Sequence, residues 1–270
     1  MTTQAGYVLS ESEHASGGRR TADRLRAVLE VLEIEGKVSV EGLMNLLVVS
    51  AATVRRDLAR LEAEGLIVRS HGGAVRLDRG YEVPIGFRAL SHAAEKRRIA
   101  DYAATLVEEG AVVGITGGTT TMEVARAIAG HAGITVVTNA LNVGAELTVR
   151  PNVRLVVTGG IARTASFELS GPIAEQTFRQ YNLDIAFVGV DGVDAVEGFT
   201  THNDLEAMTN ATLVERANRV IVVADSTKLG QVKFVRICPL DAAELLITDV
   251  GALDDEVQAL RAGGLELVLV

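Results

Sequence analysis

The stretch Ile115–Ala125 reads ITGGTTTMEVA, with two glycines and three threonines between the apolar run 111–115 and a helical segment. Glycines let backbone N–H groups approach a ligand, hydroxyls add donors, and a helix N-terminus offers unpaired N–H groups and the positive end of a dipole. Together these hold a phosphate. Gly118, Thr119 and Thr120 are the expected grip, backed by a helix from Met122, with Thr116 and Gly117 leading into it. Four later apolar runs also end in polar residues: Thr138-Asn139, Thr158-Gly159-Gly160 with Arg163 close behind, Asp191-Gly192, and Asp225-Ser226-Thr227-Lys228. Lys228 supplies a point charge, and Asn139 and Asp191 suit hydroxyl groups. Any one of these ends fits a tight turn; converging on one edge, they fit a phosphorylated polyol.

A second group of side chains points to a different partner. The segment SAATVRRDLARLEAEG opens at Ser50, a natural helix cap, and closes at Gly65, a natural helix stop. Val54, Leu58 and Leu61 form its buried stripe, which leaves Ala52, Arg55 and Arg56 facing out and Thr53 at the flank. The arginine fork matches guanine O6 and N7 in the major groove of DNA. The bland alternative for Arg55 and Arg56 is a solvated face ion-paired to Asp57 or Glu62. Five arginines stand against three acids between Ser50 and Arg76, and LIVRSHGGAVRL alternates around His71-Gly72-Gly73 like a β-hairpin wing.

These residues need elements to place them. Leu25, Val28, Leu29 and Leu32 share one face of a helix expected over about 20–35, ended by Gly36. Val40, Leu43 and Leu47 stripe a second helix from near Ser39. With the Ser50 helix and the wing they make a small trihelical unit over 19–77, preceded by a Ser/Glu/Gly-rich tail, 1–18, expected to be disordered. Residues 78–94 include Pro84 and read as a linker. A helix then runs from Glu95 to near Gly110. Apolar runs at 111–116, 134–138, 153–158, 184–190, 219–224, 244–248 and 265–269 alternate with helical stretches over 95–270. That pattern is a doubly wound α/β domain with a mostly parallel sheet covered on both faces, and ligands of such sheets sit beyond the carboxyl ends of the strands.

Composition narrows the classes. Of 270 residues 48% are hydrophobic, and the single cysteine, Cys238, excludes an internal disulfide and a cysteine metal site. Cys238 is expected in the core. No apolar run approaches the ~18 residues of a membrane helix, and no signal-peptide pattern is visible, so a cytoplasmic protein is expected, with no membrane partner. His14, His92, His131 and His202 lack partners at metal-binding spacing, and no metal or cofactor is expected. The net charge of −9 argues against nucleic acid until the chain is divided. Residues 1–76 hold 10 basic and 10 acidic side chains, and 77–270 hold 16 and 25. All net acidity lies in the C-terminal part, where it repels DNA and keeps it to the wings.

VSVEGLMNLLVVSAATVRRDLARLEAEGLIVRSHGGA resembles the winged helix-turn-helix of the DeoR family of bacterial transcription regulators. The resemblance implies operator DNA as partner, with contacts at Ser50, Thr53, Arg55, Arg56, Arg69 and His71. It continues to the chain's end, where it implies an effector domain related in fold to ribose-5-phosphate isomerase and glucosamine-6-phosphate deaminase. TGGTTT looks like their phosphate loops, and IVVADSTKLG like the isomerase segment whose phosphate-binding lysine lands on Lys228. The family's loop usually has Asp where this chain has Thr116. THNDLEA and the closing LRAGGLELVLV resemble regulators of N-acetylgalactosamine and related amino-sugar operons.

Two functions of different class follow. An enzyme needs a placed general acid or base. By resemblance the isomerase's Glu falls on Asn210, and the deaminase's His after Asp-Gly falls on Val193. Asp191 and Glu206 are the carboxylates left. A switch needs only a ligand with different affinity for two states. The expected protein is therefore a sugar-phosphate-responsive repressor, a homodimer or homotetramer. Its effector contacts are Thr116, Gly117, Gly118, Thr119, Thr120, Thr138, Asn139, Gly159, Gly160, Arg163, Asp191, Glu206 and Lys228, with His202-Asn203 as further candidates.

Overall fold

The computed structural model describes residues 21, 24, 25, 27–29, 31, 32, 35–63, 66–70, 72–76, 85–89 and 91–270, with the backbone alone at Arg76 and Phe87. The expected tail, Gly65 and His71 lie outside the described residues. The chain forms two units, Met1–Val83 and Pro84–Val270.

In the first unit the described residues between 21 and 35 are helical (α1). There follow β1 (Lys37–Ser39), α2 (Val40–Leu47), α3 (Ala51–Ala63), β2 (Ile67–Ser70) and β3 (Gly73–Arg76). Leu25, Val28, Leu32, Leu43, Val54, Leu58 and Leu61 are buried together with Ile67 and Ala74. Of the expected α2 stripe only Leu43 is fully buried; Val40 and Leu47 are half-exposed, because the short helix presents one turn to the core. Ser39 caps α2 by accepting from the Gly42 N–H at 2.9 Å, and Ser50 caps α3 by accepting from the Thr53 N–H at 3.2 Å. β2 and β3 pair antiparallel with Ser70 opposite Gly73, so the wing turns through two residues. β1 adds a third strand that the sequence pattern did not announce, with Val38 opposite Ala74. Gly73 permits it: a Cβ there would lie 1.9 Å from the Val38 carbonyl oxygen.

The second unit begins with α4 (Ile85–Arg88) and α5 (Ala93–Ala104). Part of the stretch read as a linker, 78–94, is therefore helical, and the second helix ends about two turns before Gly110. The alternating core is β4 (Val112–Ile115), α6 (Thr119–Ile128), β5 (Thr135–Thr138), α7 (Leu141–Leu147) and β6 (Arg154–Val157). A hairpin, β7 (Ile161–Ala162) and β8 (Leu169–Ser170), precedes α8 (Pro172–Arg179) and β9 (Leu183–Gly189). Then come β10 (Gly192–Asp194), β11 (Gly198–Thr201), α9 (Asp204–Glu215), β12 (Ala217–Val223), β13 (Val235–Cys238), β14 (Leu245–Thr248), α10 (Asp254–Ala262) and β15 (Glu266–Leu269).

Seven strands form one sheet in the order β15-β14-β12-β9-β4-β5-β6, every neighbouring pair parallel. Alternate side chains serve two cores: Ile185 and Phe187 face one, Ala186 and Val188 the other. Two small antiparallel sheets, β7-β8 and β10-β11-β13, were not foreseen. Their strands are two to four residues long, too short to show a period. From β4 the chain steps outward to β5 and β6, returns to β9 beside β4, and proceeds the other way. The reversal lies between β4 and β9, and the crevice beyond their carboxyl ends is where such sheets bind ligands.

Candidate functional site

In the first unit, α3 turns Ala52, Arg55 and Arg56 to solvent. Asp57, which might have paired with them, is buried and instead holds Arg24 of α1 through both carboxylate oxygens, Arg24 Nη2 donating to Oδ1 at 2.9 Å. Among the described residues neither Arg55 nor Arg56 has an ion-pair partner. Arg69, exposed on β2, lies 3.8 Å from Glu62. Ser50 and Thr53 share a 2.9 Å hydroxyl hydrogen bond at the N-terminus of α3. The unit thus presents a capped helix with two uncommitted arginines and a short wing.

In the second unit, β4 and β9 meet at Thr116, whose Oγ1 accepts from the Gly189 N–H at 2.9 Å. Gly118 then takes φ +137, a conformation that L side chains rarely adopt, and α6 starts at once. Helix α6 begins at Thr119, three residues before the expected Met122: Thr119 and Thr120 are its first turn and no longer a loop, because Gly118 alone makes the bend. No side chain caps it. Its first N–H groups therefore point, unpaired within the helix, into the crevice.

The strand ends divide into structural and available groups. Thr138 Oγ1 donates to the Ile115 carbonyl at 2.7 Å and accepts from the Ala140 N–H at 3.0 Å, so it fastens β5 to β4. Gly159 and Gly160 serve the β7-β8 hairpin: a Cβ on Gly159 would meet Ile173 at 2.7 Å, and one on Gly160 would meet the Ser170 carbonyl oxygen at 2.8 Å. Asn139, Glu168 and Asn210 form a buried triad, with Asn139 Nδ2 and Asn210 Nδ2 donating to Glu168 Oε2 at 3.3 and 3.2 Å. Glu168 lies against Gly117, where a Cβ would come within 2.4 Å of its Oε1. Arg163 Nη1 donates to Glu206 Oε1 at 3.0 Å, and Ser166 hydrogen-bonds the same oxygen.

Asp191 is the busiest group. Arg88 Nη1 donates to its Oδ1 at 2.8 Å, and Thr201 Oγ1 and His202 Nδ1 lie 3.0 Å from its Oδ2. Burial works against its charge, but Arg88, the His202 hydrogen bond and Lys228 outweigh it and hold its carboxyl well below the usual range. Glu168 goes the other way: burial, then the nearby Glu206 charge, push it up to about 8, so it is largely a neutral acid at pH 7. Lys96 Nζ donates to the Arg88 and Ser91 carbonyls at 2.8 and 2.7 Å and stands 3.7 Å from Asp225. Burial lowers it to about 8. Lys228, in a 3₁₀ turn of Ser226–Lys228, makes no ion pair among the described residues. The crevice thus joins an open helix terminus, a free lysine, a neutral acid and two amides, a set that fits a phosphate at one end and hydroxyls at the other.

Residues 24–79 match the DeoR-like helix-turn-helix domain, and residues 91–250 match the DeoR C-terminal sensor domain. The chain belongs to the DeoR family. Over 95% of its length it is 36% identical to a putative aga operon transcriptional repressor of Escherichia coli O157:H7, covering 97% of that protein. It is 40% identical to the HTH-type transcriptional regulator GlpR of Haloferax volcanii, over 92% of this chain and 97% of that one. It is 29% identical to the glycerol-3-phosphate regulon repressor of Escherichia coli K12, over 93% and 99%. Among solved structures it shares 19% identity and a TM-score of 0.39 with ribose 5-phosphate isomerase A of Methanocaldococcus jannaschii, covering 51% of this chain and 55% of that one. The sorbitol operon regulator SorC of Klebsiella pneumoniae gives 12% and 0.33, over 76% and 89%.

The DeoR assignment makes the unforeseen residues of the sensor domain informative. Arg88 and Lys96 sit outside every strand end, Arg88 in the stretch read as a linker and Lys96 at the start of the helix expected from Glu95. Glu168 lies alone in SFELSG with no motif around it. Asn210 entered only as a missing carboxylate; it is buried and bonded to the carboxylate that is present. Only the three-dimensional return of the β7-β8 hairpin over Gly117 reveals that pairing. In this DeoR protein His202, a sequence candidate, does reach Asp191, whereas Asn203 is spent capping α9 through the Glu206 N–H at 3.1 Å.

Proposed function

We propose that this DeoR-family regulator represses a carbohydrate or amino-sugar catabolic operon, and that a phosphorylated sugar bound at the β4/β9 crevice relieves repression. The observation that carries the effector reading is the uncapped N-terminus of α6 at the point where strand order reverses. The names of the relatives, an aga operon repressor and a glycerol-3-phosphate regulon repressor, support the class of target and ligand. In this reading Gly118, Thr119 and Thr120 hold the phosphate, and Asn139, Glu168 and Asp191 face the hydroxyls. Operator contacts fall to Ser50, Thr53, Arg55, Arg56, Arg69 and His71. The active species is a homodimer or homotetramer, since paired half-sites demand a two-fold protein. The protein works in the cytoplasm; among the described residues no helix is long and apolar enough to cross a membrane.

The ligand is read and not changed. One observation favours the enzymatic alternative, a sugar-phosphate isomerase or deaminase: Glu168, its carboxyl pushed up to about 8, is an acid of the strength such chemistry uses. Gel-shift of the protein with its own upstream DNA, titrated with hexose 6-phosphates, hexosamine 6-phosphates and glycerol 3-phosphate, tests the regulator. Loss of the shifted band with one of these is the expected result; a band indifferent to all of them sinks the effector reading. Turnover of ribose 5-phosphate or glucosamine 6-phosphate by the purified protein would replace it with the enzyme.

A further inference from the structure

Residues 85–89 and Ser91 open the described part of the second unit, and side-chain and backbone ties hold them down. The Ile85 N–H donates to the Ala165 carbonyl, in the loop of the β7-β8 hairpin, at 2.8 Å. Arg88 Nη1 donates to Asp191 Oδ1 at 2.8 Å. Lys96 Nζ gathers the Arg88 and Ser91 carbonyls, at 2.8 and 2.7 Å, and sets them near Asp225. The anchors follow the strand ends: Asp191 lies two residues past β9, Asp225 two past β12, and Ala165 between Arg163 and Ser166. The segment itself, through Ile85, Gly86 and Ala89, walls a cleft of about 210 Å³ whose opposite side is Thr119 and Met122 of α6.

From this arrangement we propose that 85–91 is a ligand-sensitive strap, and that Arg88 is the positioning residue through which occupancy of the crevice reaches the chain leading back to the DNA-binding unit. The proposal rests on the sugar-phosphate reading above. Asp191 has two oxygens, and three donors already use them. An ionised carboxylate has about four acceptor sites, so a sugar hydroxyl that enters competes with these three donors for the same small set. A phosphate at Thr119 places a second anion in the cleft that this segment walls, and guanidinium pairs with phosphate as readily as with carboxylate. Either event loosens the Arg88–Asp191 tie. Loss of that tie leaves the Ile85 hydrogen bond and the Lys96 lash among the segment's remaining contacts. A ligand acting this way discriminates between strapped and unstrapped states, as coupling requires.

The full-length protein tests this with Arg88→Gln and Arg88→Lys. Two readouts need no ligand. Amide exchange at 85–91 should speed in Arg88→Gln while exchange in β4 and β9 stays as in the parent, which also shows that the fold survives. Its affinity for the upstream DNA should fall by about 5–150-fold, to the level of the liganded parent. The third readout uses glucosamine 6-phosphate and glycerol 3-phosphate as probes: the probe that releases the parent from DNA should still raise the melting temperature of Arg88→Gln but no longer change its DNA affinity. Arg88→Lys, which keeps the charge, should retain part of the response. Parent-like exchange and parent-like DNA affinity in Arg88→Gln overturn the strap. If neither probe binds the parent, the sugar-phosphate reading fails for these ligands, and the strap is still judged by the first two readouts.

Discussion

Replacing Glu168 by Gln isolates the neutral acid at the heart of the crevice. Glu168 is fully enclosed, and burial with the neighbouring Glu206 charge raises its carboxyl from the ordinary 4.5 to about 8. Between those two values the native protein holds a proton that the unfolded chain has released. Stability must then fall as pH rises, by about 1.4 kcal/mol per pH unit for one proton. From pH 5.5 to 7.5 that is ~2.7 kcal/mol, or about 5–10 °C in melting temperature for a unit of this size. Gln keeps an oxygen to accept from Asn139 and Asn210 and carries no proton to lose. The variant should therefore match the parent near pH 5.5 and exceed it at pH 7.5. Neighbouring groups do not blur the window. Lys96, lowered by burial to about 8 from 10.5, makes stability rise with pH, but only above pH 8. Asp191, held low, acts below pH 4. Urea unfolding of both proteins at the two pH values measures the effect. Parallel losses of stability in parent and variant would refute the argument, because Glu168 would then titrate as an ordinary surface acid.

Other outcomes follow from the same structure. Arg56→Ala should remove operator binding in a gel-shift while changing the unfolding free energy by less than about 0.5 kcal/mol, since the side chain is exposed and has no ion-pair partner among the described residues. Gly73→Ala should unpair β1 from β3 and weaken both thermal stability and DNA binding, because its Cβ would lie 1.9 Å from the Val38 carbonyl oxygen. Gly118→Ala, forced to φ +137, should abolish melting-temperature stabilisation by any sugar phosphate that stabilises the parent. As pH falls below about 4, the stability that Asp191 gains from Arg88 should be lost progressively, and acid unfolding of Arg88→Gln should show a shallower dependence there.

How far the sequence carried the fold differs from element to element. β4, β5, β9 and β12 were readable because a strand buried on both faces is a run of Val, Ile and Ala with no competing period. The core stripe of α3 was readable for the opposite reason: Val54, Leu58 and Leu61 repeat at helical spacing against charge. β1 was hidden because three residues, KVS, have no period at all, and only the missing Cβ of Gly73 makes their pairing possible. The site shows the same divide. TGGTTT and ADSTK are local chemistry and stand out by composition. Arg88, Lys96 and Glu168 acquire meaning from partners 103, 129 and 42 residues away in Asp191, Asp225 and Asn210, distances over which sequence spacing is silent. Thr138, Gly159 and Gly160, expected as ligand contacts, also carry structural duties: strand fastening and hairpin packing account for their geometry.

The ion pair that fastens Asp57 to Arg24 has a consequence for how such a protein changes over generations. It locks the roll of α3 from the inward side, where Val54, Leu58 and Leu61 are also committed. Breaking it by Asp57→Ala should cost between the ~1 kcal/mol of a surface pair and the ~3–5 kcal/mol of a fully buried one. The outward side, Ala52, Arg55 and Arg56, carries none of that obligation. A helix whose orientation is set from behind can have its front re-lettered one residue at a time, each substitution altering the DNA text it favours and leaving the scaffold untouched. On the proposed assignment of operator contacts, exchanging Arg55 or Arg56 alters operator preference without refolding the unit.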